Sequence, residues 1–362
     1  MARRRHYPHS LSATTVTHTV AARRRMRSRR WAGWSDERLL DARLCDLGLT
    51  IAGSPLEPQI GRLYRALERR GIRFRPHSWL SDCWFSPDGI PGFAIPFYLA
   101  HPRLAQLEKR RMLELEGGTG QECQKLMRHE TAHALANAYR LHLRHAWQRV
   151  FGRPARTYPE SYLPRPESRG YVINLGGWYA QSHPHEDWAE TFAVWLDPRS
   201  RWHERYRGWP ALRKLELVDS LMHEIATHPP ALRTRRVVDP LASLRITLRE
   251  YFEHKQQLAG DAFPRFHSQQ LERIFPPARG RLDEPAARFI SRHRAGITTL
   301  VAHWTGAPRY RVSLTLTHAA QLAAGLGLRA PAGRTCPELP LASALVMLYM
   351  GSLRAGRSRL AL

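Results

Sequence analysis

The sequence predicts an α+β protein, with short strands and turns in one stretch, long helices before and after it, and a mostly helical C-terminal region. Two observations lead to this prediction. Residues 72 to 99 alternate aromatic or apolar with polar side chains and are interrupted by proline and glycine, which is typical of short strands and turns. From about residue 121, and in most of the chain after residue 240, apolar residues recur at helical spacing.

Length and composition indicate a folded chain with a separate tail. With 362 residues, 43% of them hydrophobic and 11 of them tryptophan, the chain is long enough for one large core or two smaller ones. We predict a basic disordered tail at residues 1–30, a first folded domain at residues 31–235, and a helical C-terminal region at residues 236–362. The sequence assigns no role to that last region, and it does not determine the oligomeric state.

The tail is the most basic part of the chain, with nine arginines and no acidic residue in residues 1–30. Its composition also fits an organelle transit peptide, and a third interpretation is an upstream start codon with Met26 as the true first residue. Because the arginines at positions 3 to 5 are followed by polar residues, a secretory signal is not expected.

The whole chain carries a formal charge of +25. A charge of this size predicts non-specific attraction to polyanions such as nucleic acid. The alternative is an arginine-rich protein whose excess charge is spread over a solvated surface.

The spacing of the cysteines and the length of the apolar runs indicate the cellular compartment of the protein. The four cysteines stand far apart without a C-x-x-C pair, which excludes a zinc ribbon and argues against a disulfide framework. No apolar run reaches the roughly 18 residues that a membrane span requires. We therefore expect a reducing, cytoplasmic location and no membrane span. The cysteines are Cys45, Cys83, Cys123 and Cys336.

The first folded region begins with two helices and two strand candidates. Ser35 caps a predicted helix that ends near Gly48, and a second amphipathic helix covers residues 60–67. The strand candidates are residues 79–85 and 93–99, which lie in the stretch where helical spacing disappears.

A helix predicted over about residues 121–151 carries the pattern H-E-x-x-H. His129 and His133 are four residues apart, so both imidazoles lie on one face of the helix and can bind one metal ion. Glu130 lies beside that ion, where it can take a proton from a metal-bound water. One Zn²⁺ suits this ligand type, because zinc accepts imidazole nitrogen and carboxylate oxygen in tetrahedral geometry.

A second helix is predicted to begin at Pro184, after a proline-rich loop at residues 153–170 and a strand candidate at residues 171–175. Glu186 and Glu190 lie one turn apart on this helix. A carboxylate at the first position can complete the metal shell. A carboxylate one turn later can accept a hydrogen bond from the second ring nitrogen of a ligating histidine.

Glu186 is not the only candidate for the third metal ligand. His183, His185 and Asp187 flank it and can also reach a metal. The alternative without a metal site is that Glu186 and Glu190 are solvated acidic side chains on the face of a helix.

Two further histidines lie on the motif helix. If the helix is continuous, His142 and His145 lie about 13 and 18 Å along the axis from His133, too far to share its ion. The metzincin continuation is absent, because Ala136 and Tyr139 stand where its glycine and histidine would be.

The two motifs together resemble the gluzincin class of zinc metallopeptidases. Within that class, the chain is similar to a bacterial group of zinc-binding metallopeptidases with H-E-x-x-H followed by H-P-x-E-D-W-A-E-T-F. The resemblance covers about residues 70 to 215, and it departs from many relatives in lacking a cysteine-rich N-terminal zinc ribbon. The matching residues are His129, Glu130, His133, His183, Pro184, Glu186, Asp187, Trp188, Ala189, Glu190, Thr191 and Phe192.

The resemblance implies a zincin-like core, in which a small sheet packs on the zinc-binding helix and on a second ligand helix. It also implies His129, His133 and Glu186 as zinc ligands, Glu130 as general base and Glu190 as partner of a ligating histidine. Residues 93–95 are the candidate for a sheet edge that holds substrate in extended form.

The transition state of peptide hydrolysis needs a donor near the developing oxyanion. Tyr179 precedes Glu186 by seven residues, a spacing similar to that of an oxyanion-stabilising tyrosine in some gluzincins. Tyr171 and Tyr179 can equally be ordinary packing residues, and His183 or His185 can fill the role instead.

We therefore expect a zinc metallopeptidase that hydrolyses peptide or protein substrates through a metal-activated water, with Glu130 as general base. One alternative is a protease directed to nucleic acid by its basic surface, and another is a non-catalytic zinc-binding protein. Further helices are predicted at residues 212–225, 241–255, 284–304, 315–324 and 341–353.

Overall fold

The fold is described from a computed structural model, which covers residues 30–159, 162–260, 265–275, 284–330 and 337–354. The predicted tail, apart from Arg30, and Cys336 lie outside the described residues. The α-helices are α1 (Asp36–Leu40), α2 (Leu56–Arg69), α3 (Pro102–Met112), α4 (Gly120–Tyr139), α5 (His145–Phe151), α6 (Pro184–Leu196), α7 (Trp202–Arg205), α8 (Leu212–Ala226), α9 (Leu248–Gly260), α10 (Ser268–Ile274), α11 (Ala286–Thr305), α12 (Arg309–Gly325) and α13 (Glu338–Arg354). The strands are β1 (His77–Ser81), β2 (Gly92–Pro96), β3 (Glu284–Pro285) and β4 (Arg329–Ala330). Short 3₁₀ helices lie at Arg30–Gly33, Leu44–Asp46, Phe97–Ala100, Leu141–Leu143, Tyr179–Gln181 and Leu241–Ser243.

The described residues are mostly helical, with a parallel sheet of β1 and β2 and a very short antiparallel sheet of β3 and β4, which agrees with the α+β class expected. Its apolar side chains form two large clusters, one running from Trp31 to Phe252 and one from Phe266 to Tyr349. Helix α9 belongs to the first cluster, because Leu248, Tyr251 and Phe252 are buried in it. None of the helices in the described ranges is both long and apolar enough to cross a membrane.

Strands β1 and β2 are parallel, with His77 opposite Gly92 and Ser81 opposite Pro96. Every residue of β2 is buried, so the strand reads as a continuous apolar run rather than as an alternating one. Both strands are shorter than predicted. Residues 97–100 form a 3₁₀ helix instead of continuing β2. Of the residues predicted to extend β1, only Phe85 pairs with the sheet, through a single bridge to Ala94.

The bridge to Phe85 overturns the prediction that residues 93–95 form a free edge for substrate. The amide of Ala94 donates to the carbonyl of Phe85 at 2.8 Å, so the outer side of β2 is already paired at its centre. The Phe85 segment lies next to α4, since the hydroxyl of Ser86 donates to the carbonyl of Glu130 at 3.0 Å.

Helix α4 begins at a capping box. The side chain of Thr119 accepts from the amide of Glu122, and the carboxylate of Glu122 accepts from the amide of Thr119. The helix ends at Arg140, whose backbone is left-handed with φ of 52°. The single helix predicted to residue 151 is therefore wrong, and a 3₁₀ turn and α5 follow the break.

Helix α6 begins with Pro184 at its first position, as the sequence predicts, and the structure shows His183 as its N-cap. Nearly all of its side chains are buried, because it packs between α4 and α8. The strand predicted at residues 171–175 does not form. Its backbone is paired with side chains instead: the amide of Ile173 donates to the hydroxyl of Tyr206, and Lys125 donates to the carbonyl of Asn174.

The C-terminal helices α11, α12 and α13 pack around the second apolar cluster, and this region contacts the first region at Tyr162 and Gly177. Tyr162 packs on this cluster while its hydroxyl donates to the carbonyl of Gly177 at 2.7 Å. The turn between α11 and α12 also approaches Gly177, because a Cβ built on Gly306 would lie 3.4 Å from the Cα of Gly177. The C-terminal region therefore abuts the segment that leads into Tyr179.

Candidate metal centre

Helices α4 and α6 bring the three predicted ligands together. The indole nitrogen of Trp188 on α6 donates to the carbonyl of Ala132 on α4 at 2.9 Å, and both residues are fully buried. This contact aligns Glu186 with the histidine face of α4. Within the described residues, His129, His133 and Glu186 form a group whose ligand atoms all lie within 4.8 Å of one another.

The three ligand atoms form a nearly regular triangle. The distance from His129 Nε2 to Glu186 Oε2 is 3.0 Å, that from His133 Nε2 to Glu186 Oε2 is 3.5 Å, and the two Nε2 atoms are 3.2 Å apart. Tetrahedral zinc at its usual bond lengths separates its ligand atoms by about 3.3 Å. The observed spacing and the two-nitrogen, one-oxygen donor set therefore fit Zn²⁺.

The hydrogen bonds of His129 orient its ring for this role. Its Nδ1–H donates to Glu190 Oε1 at 2.9 Å, since a carboxylate can only accept. In the neutral, metal-binding form of the ring the lone pair is thereby placed on Nε2, the atom that faces His133 and Glu186. The sequence predicts that Glu190 accepts a hydrogen bond from the second ring nitrogen of a ligating histidine. The structure places its carboxylate at hydrogen-bonding distance from His129.

Opposite charges are concentrated in a buried volume. Burial lowers the pKa of His129, but the hydrogen bonds with Glu186 and Glu190 and their charges outweigh it, and the pKa is raised to about 10. Burial also opposes ionisation of Glu186, but the charge of His133 and the hydrogen bond with His129 outweigh it and hold the pKa well below its usual range. The carboxylates therefore favour positive charge at the point where the three ligand atoms meet.

Glu130 lies beside the ligands on α4 and is only 6% exposed. Its Oε2 is buried and has no hydrogen-bond partner among the described residues. A buried carboxylate oxygen without a partner is unfavourable by several kcal/mol in apolar surroundings, on the order of the desolvation of a polar group. This oxygen can therefore accept a hydrogen bond, which a general base requires.

Two tyrosines reach this centre. The ring of Tyr179 lies 5.6 Å from that of His129, measured between centroids. Burial raises the pKa of Tyr179 well above its usual range, and the charges of Glu186 and Glu130 add to this. The hydroxyl of Tyr158 donates to Glu186 Oε1 at 2.8 Å.

Tyr158 is the site residue that the sequence did not single out. It lies in the proline-rich loop predicted at residues 153–170. No local pattern marks it, because its role depends on where the loop folds.

The alternative third ligands are engaged elsewhere. His183 uses both ring nitrogens, accepting from the amide of His185 and donating to the carbonyl of Arg156 at 2.7 Å. Asp187 Oδ2 accepts from Lys214 Nζ at 2.7 Å, and burial nonetheless raises its pKa to about 7. None of these side chains belongs to the three-residue group.

The break at Arg140 changes the position of His142. The distances predicted for His142 and His145 assumed a continuous helix, which the structure does not have. The ring of His142 instead lies 5.5 Å from that of His185, which itself lies against Trp147. Burial, followed by the charges of neighbouring histidines, lowers the pKa of His185 to about 3, so its ring is uncharged near neutral pH.

Glu190 is the basis of a first prediction. It is 1% exposed, and it accepts from His129, from the side chain of Asn174 and from the amide of Leu175. In Glu190→Gln, one accepting oxygen becomes an amide donor that faces another donor. We expect zinc affinity to fall by about 10- to 100-fold, and the free energy of unfolding by about 1–3 kcal/mol.

Zinc titration and thermal melting measure these two effects. Glu216→Gln, at an exposed position on α8, is the control and should change neither. Unchanged zinc affinity in Glu190→Gln would show that Glu190 does not act on the metal site.

Comparison of the chain with protein-family models, with curated proteins and with solved structures gives no match. The interpretation of the centre therefore depends on its own side chains and their geometry. The resemblance to gluzincins stays a prediction from the two motifs.

Proposed function

We propose that this chain is a zinc-dependent peptidase with a zincin-like core. His129, His133 and Glu186 hold one Zn²⁺, and Glu130 acts as the general base. The observation that carries the proposal is the three-ligand group with zinc-like spacing beside the buried, unpartnered oxygen of Glu130. Peptides or proteins are the substrates that this chemistry serves.

Bound zinc would supply a Lewis acid that polarises a carbonyl and lowers the pKa of water to roughly 7. Glu130 takes a proton from the attacking water at its carboxylate and passes it to the nitrogen of the leaving amine. Its burial keeps bulk water from competing for that proton. Tyr179, whose high pKa keeps its hydroxyl protonated, donates a hydrogen bond to the developing oxyanion.

The ligand count favours catalysis over a structural zinc site. Structural zinc is almost always held by four protein ligands, whereas catalytic zinc keeps one position open. In the part of the chain that the structure describes, the group contains three side chains. A fourth position is therefore left for substrate or water.

Removal and return of the metal test the proposal. The full-length protein, purified with zinc, should hydrolyse a mixture of quenched fluorescent peptides. After removal of zinc by a chelator the hydrolysis should stop, and one equivalent of Zn²⁺ per chain should restore it, because the ligand group holds a single ion. Elemental analysis at each stage ties activity to metal content.

A contaminating protease is excluded with His133→Ala protein purified by the same procedure, which should be inactive at every stage. Hydrolysis that persists in fully zinc-free protein would refute the proposed mechanism. Stoichiometric zinc without hydrolysis of any peptide would favour the non-catalytic alternative.

A further inference from the structure

The loop that follows α5 places one side chain on a predicted metal ligand. From Gly152 the chain crosses to α6, where the phenol of Tyr158 donates to Glu186 Oε1 at 2.8 Å. The other oxygen of the same carboxylate, Oε2, faces His129 and His133 at 3.0 and 3.5 Å. The two oxygens of Glu186 are thus divided between the loop and the histidine pair.

His183 fixes this loop. Its ring is stacked on that of Tyr158, with centroids 3.6 Å apart and planes at 17°. Its Nε2–H donates to the carbonyl of Arg156, two residues before Tyr158, at 2.7 Å. Its Nδ1 accepts from the amide of His185 as the N-cap of α6. One side chain therefore starts the helix that carries Glu186 and also holds the loop that contacts Glu186.

We propose that Tyr158 is a positioning residue of the metal centre, and that His183 acts on the metal through it. The proposal rests on the metal centre proposed above. The terminal torsion of a glutamate is broad and roughly two-fold, so a carboxylate is not fixed by its own rotamer. The phenol removes this freedom by holding Oε1, and Oε2 alone is then presented to the metal.

The test is the zinc affinity of the full-length protein, measured by competition with a chromophoric chelator. Removing the hydroxyl in Tyr158→Phe should raise the zinc dissociation constant by about 10- to 100-fold, the effect usual for partners of metal ligands. The matched control is Tyr162→Phe. It removes a hydroxyl from the same loop whose partner is the carbonyl of Gly177, so its zinc affinity should equal that of the wild type.

The results separate the two proposals. A wild-type protein that fails to bind one Zn²⁺ per chain would refute the metal centre itself. Normal zinc binding by the wild type and an unchanged dissociation constant in Tyr158→Phe would overturn the role of Tyr158 alone. Melting of the metal-free proteins shows whether a variant is folded, and the loss of one hydroxyl leaves the stacked ring in place.

A double-mutant cycle tests the part of His183. His183→Asn keeps a side-chain acceptor that suits an N-cap, but removes the stacked ring and the donor to Arg156. Alone, this variant should weaken zinc binding. In the Tyr158→Phe background it should add nothing, because its effect passes through the phenol. Full additivity of the two changes would overturn the inference that His183 acts through Tyr158.

Discussion

Glu130→Gln should reduce peptide hydrolysis by about 10²- to 10⁴-fold, the usual contribution of a general base. The amide has nearly the same shape as the carboxylate but cannot accept the proton of the attacking water. Zinc content should stay at one ion per chain, because Glu130 is not one of the three ligand side chains. Initial rates on the best peptide and elemental analysis of the same sample measure both quantities.

The control for this variant is Glu68→Gln, at an exposed glutamate on α2 that pairs only with Arg75 at 3.9 Å among the ion pairs described. It should keep both activity and zinc. A Glu130→Gln enzyme with wild-type rates would show that another group accepts the proton. Loss of zinc in that variant would instead make Glu130 a ligand.

His133→Ala and Glu186→Ala should each abolish stable zinc binding. Two ligands remain in each variant, and the loss of affinity should exceed the roughly 10- to 100-fold change expected when a partner such as Glu190 is altered. At a free zinc concentration 1,000 times its dissociation constant, the metal should stabilise the wild type by about 4 kcal/mol, and the melting temperature should rise accordingly. Both variants should show no such rise.

His223→Ala is the matched control, since His223 lies on α8 with its side chain 74% exposed. It should retain the zinc-dependent rise in melting temperature. If Glu186→Ala kept full zinc while His133→Ala lost it, the third ligand would have to be a neighbour such as His185 or Asp187. The proposed role of Tyr158, which depends on Glu186 being a metal ligand, would then be wrong as well.

The two helices that carry the centre were predictable because strong local signals mark them. Thr119 and Glu122 cap α4, Pro184 opens α6, and the ligand spacing of four residues matches one helical turn. The expected positions of His129 and Glu186 follow from these signals alone. Their meeting across two helices depends on tertiary packing, and it was expected from the motifs and their resemblance.

The errors arose where tertiary contacts overrode the local pattern. No glycine or proline marks the break at Arg140, so the helical periodicity seemed to continue. Residues 171–175 have the composition of a strand, but Tyr206, Lys125 and Glu190 take up the backbone groups that a partner strand would need. Tyr158 has no sequence signal, because its role is set by the path of a loop.

Helix α9 limits how far the protein can be shortened. It lies beyond the predicted boundary at residue 235, yet Tyr251 is buried against Phe97, and Lys255 pairs with the buried Glu108 of α3. A fragment that stopped at residue 235 would expose apolar side chains of the first cluster that α9 covers. It would also leave the buried carboxylate of Glu108 without Lys255. A fragment that keeps these contacts around the histidine pair must therefore extend at least to Lys255.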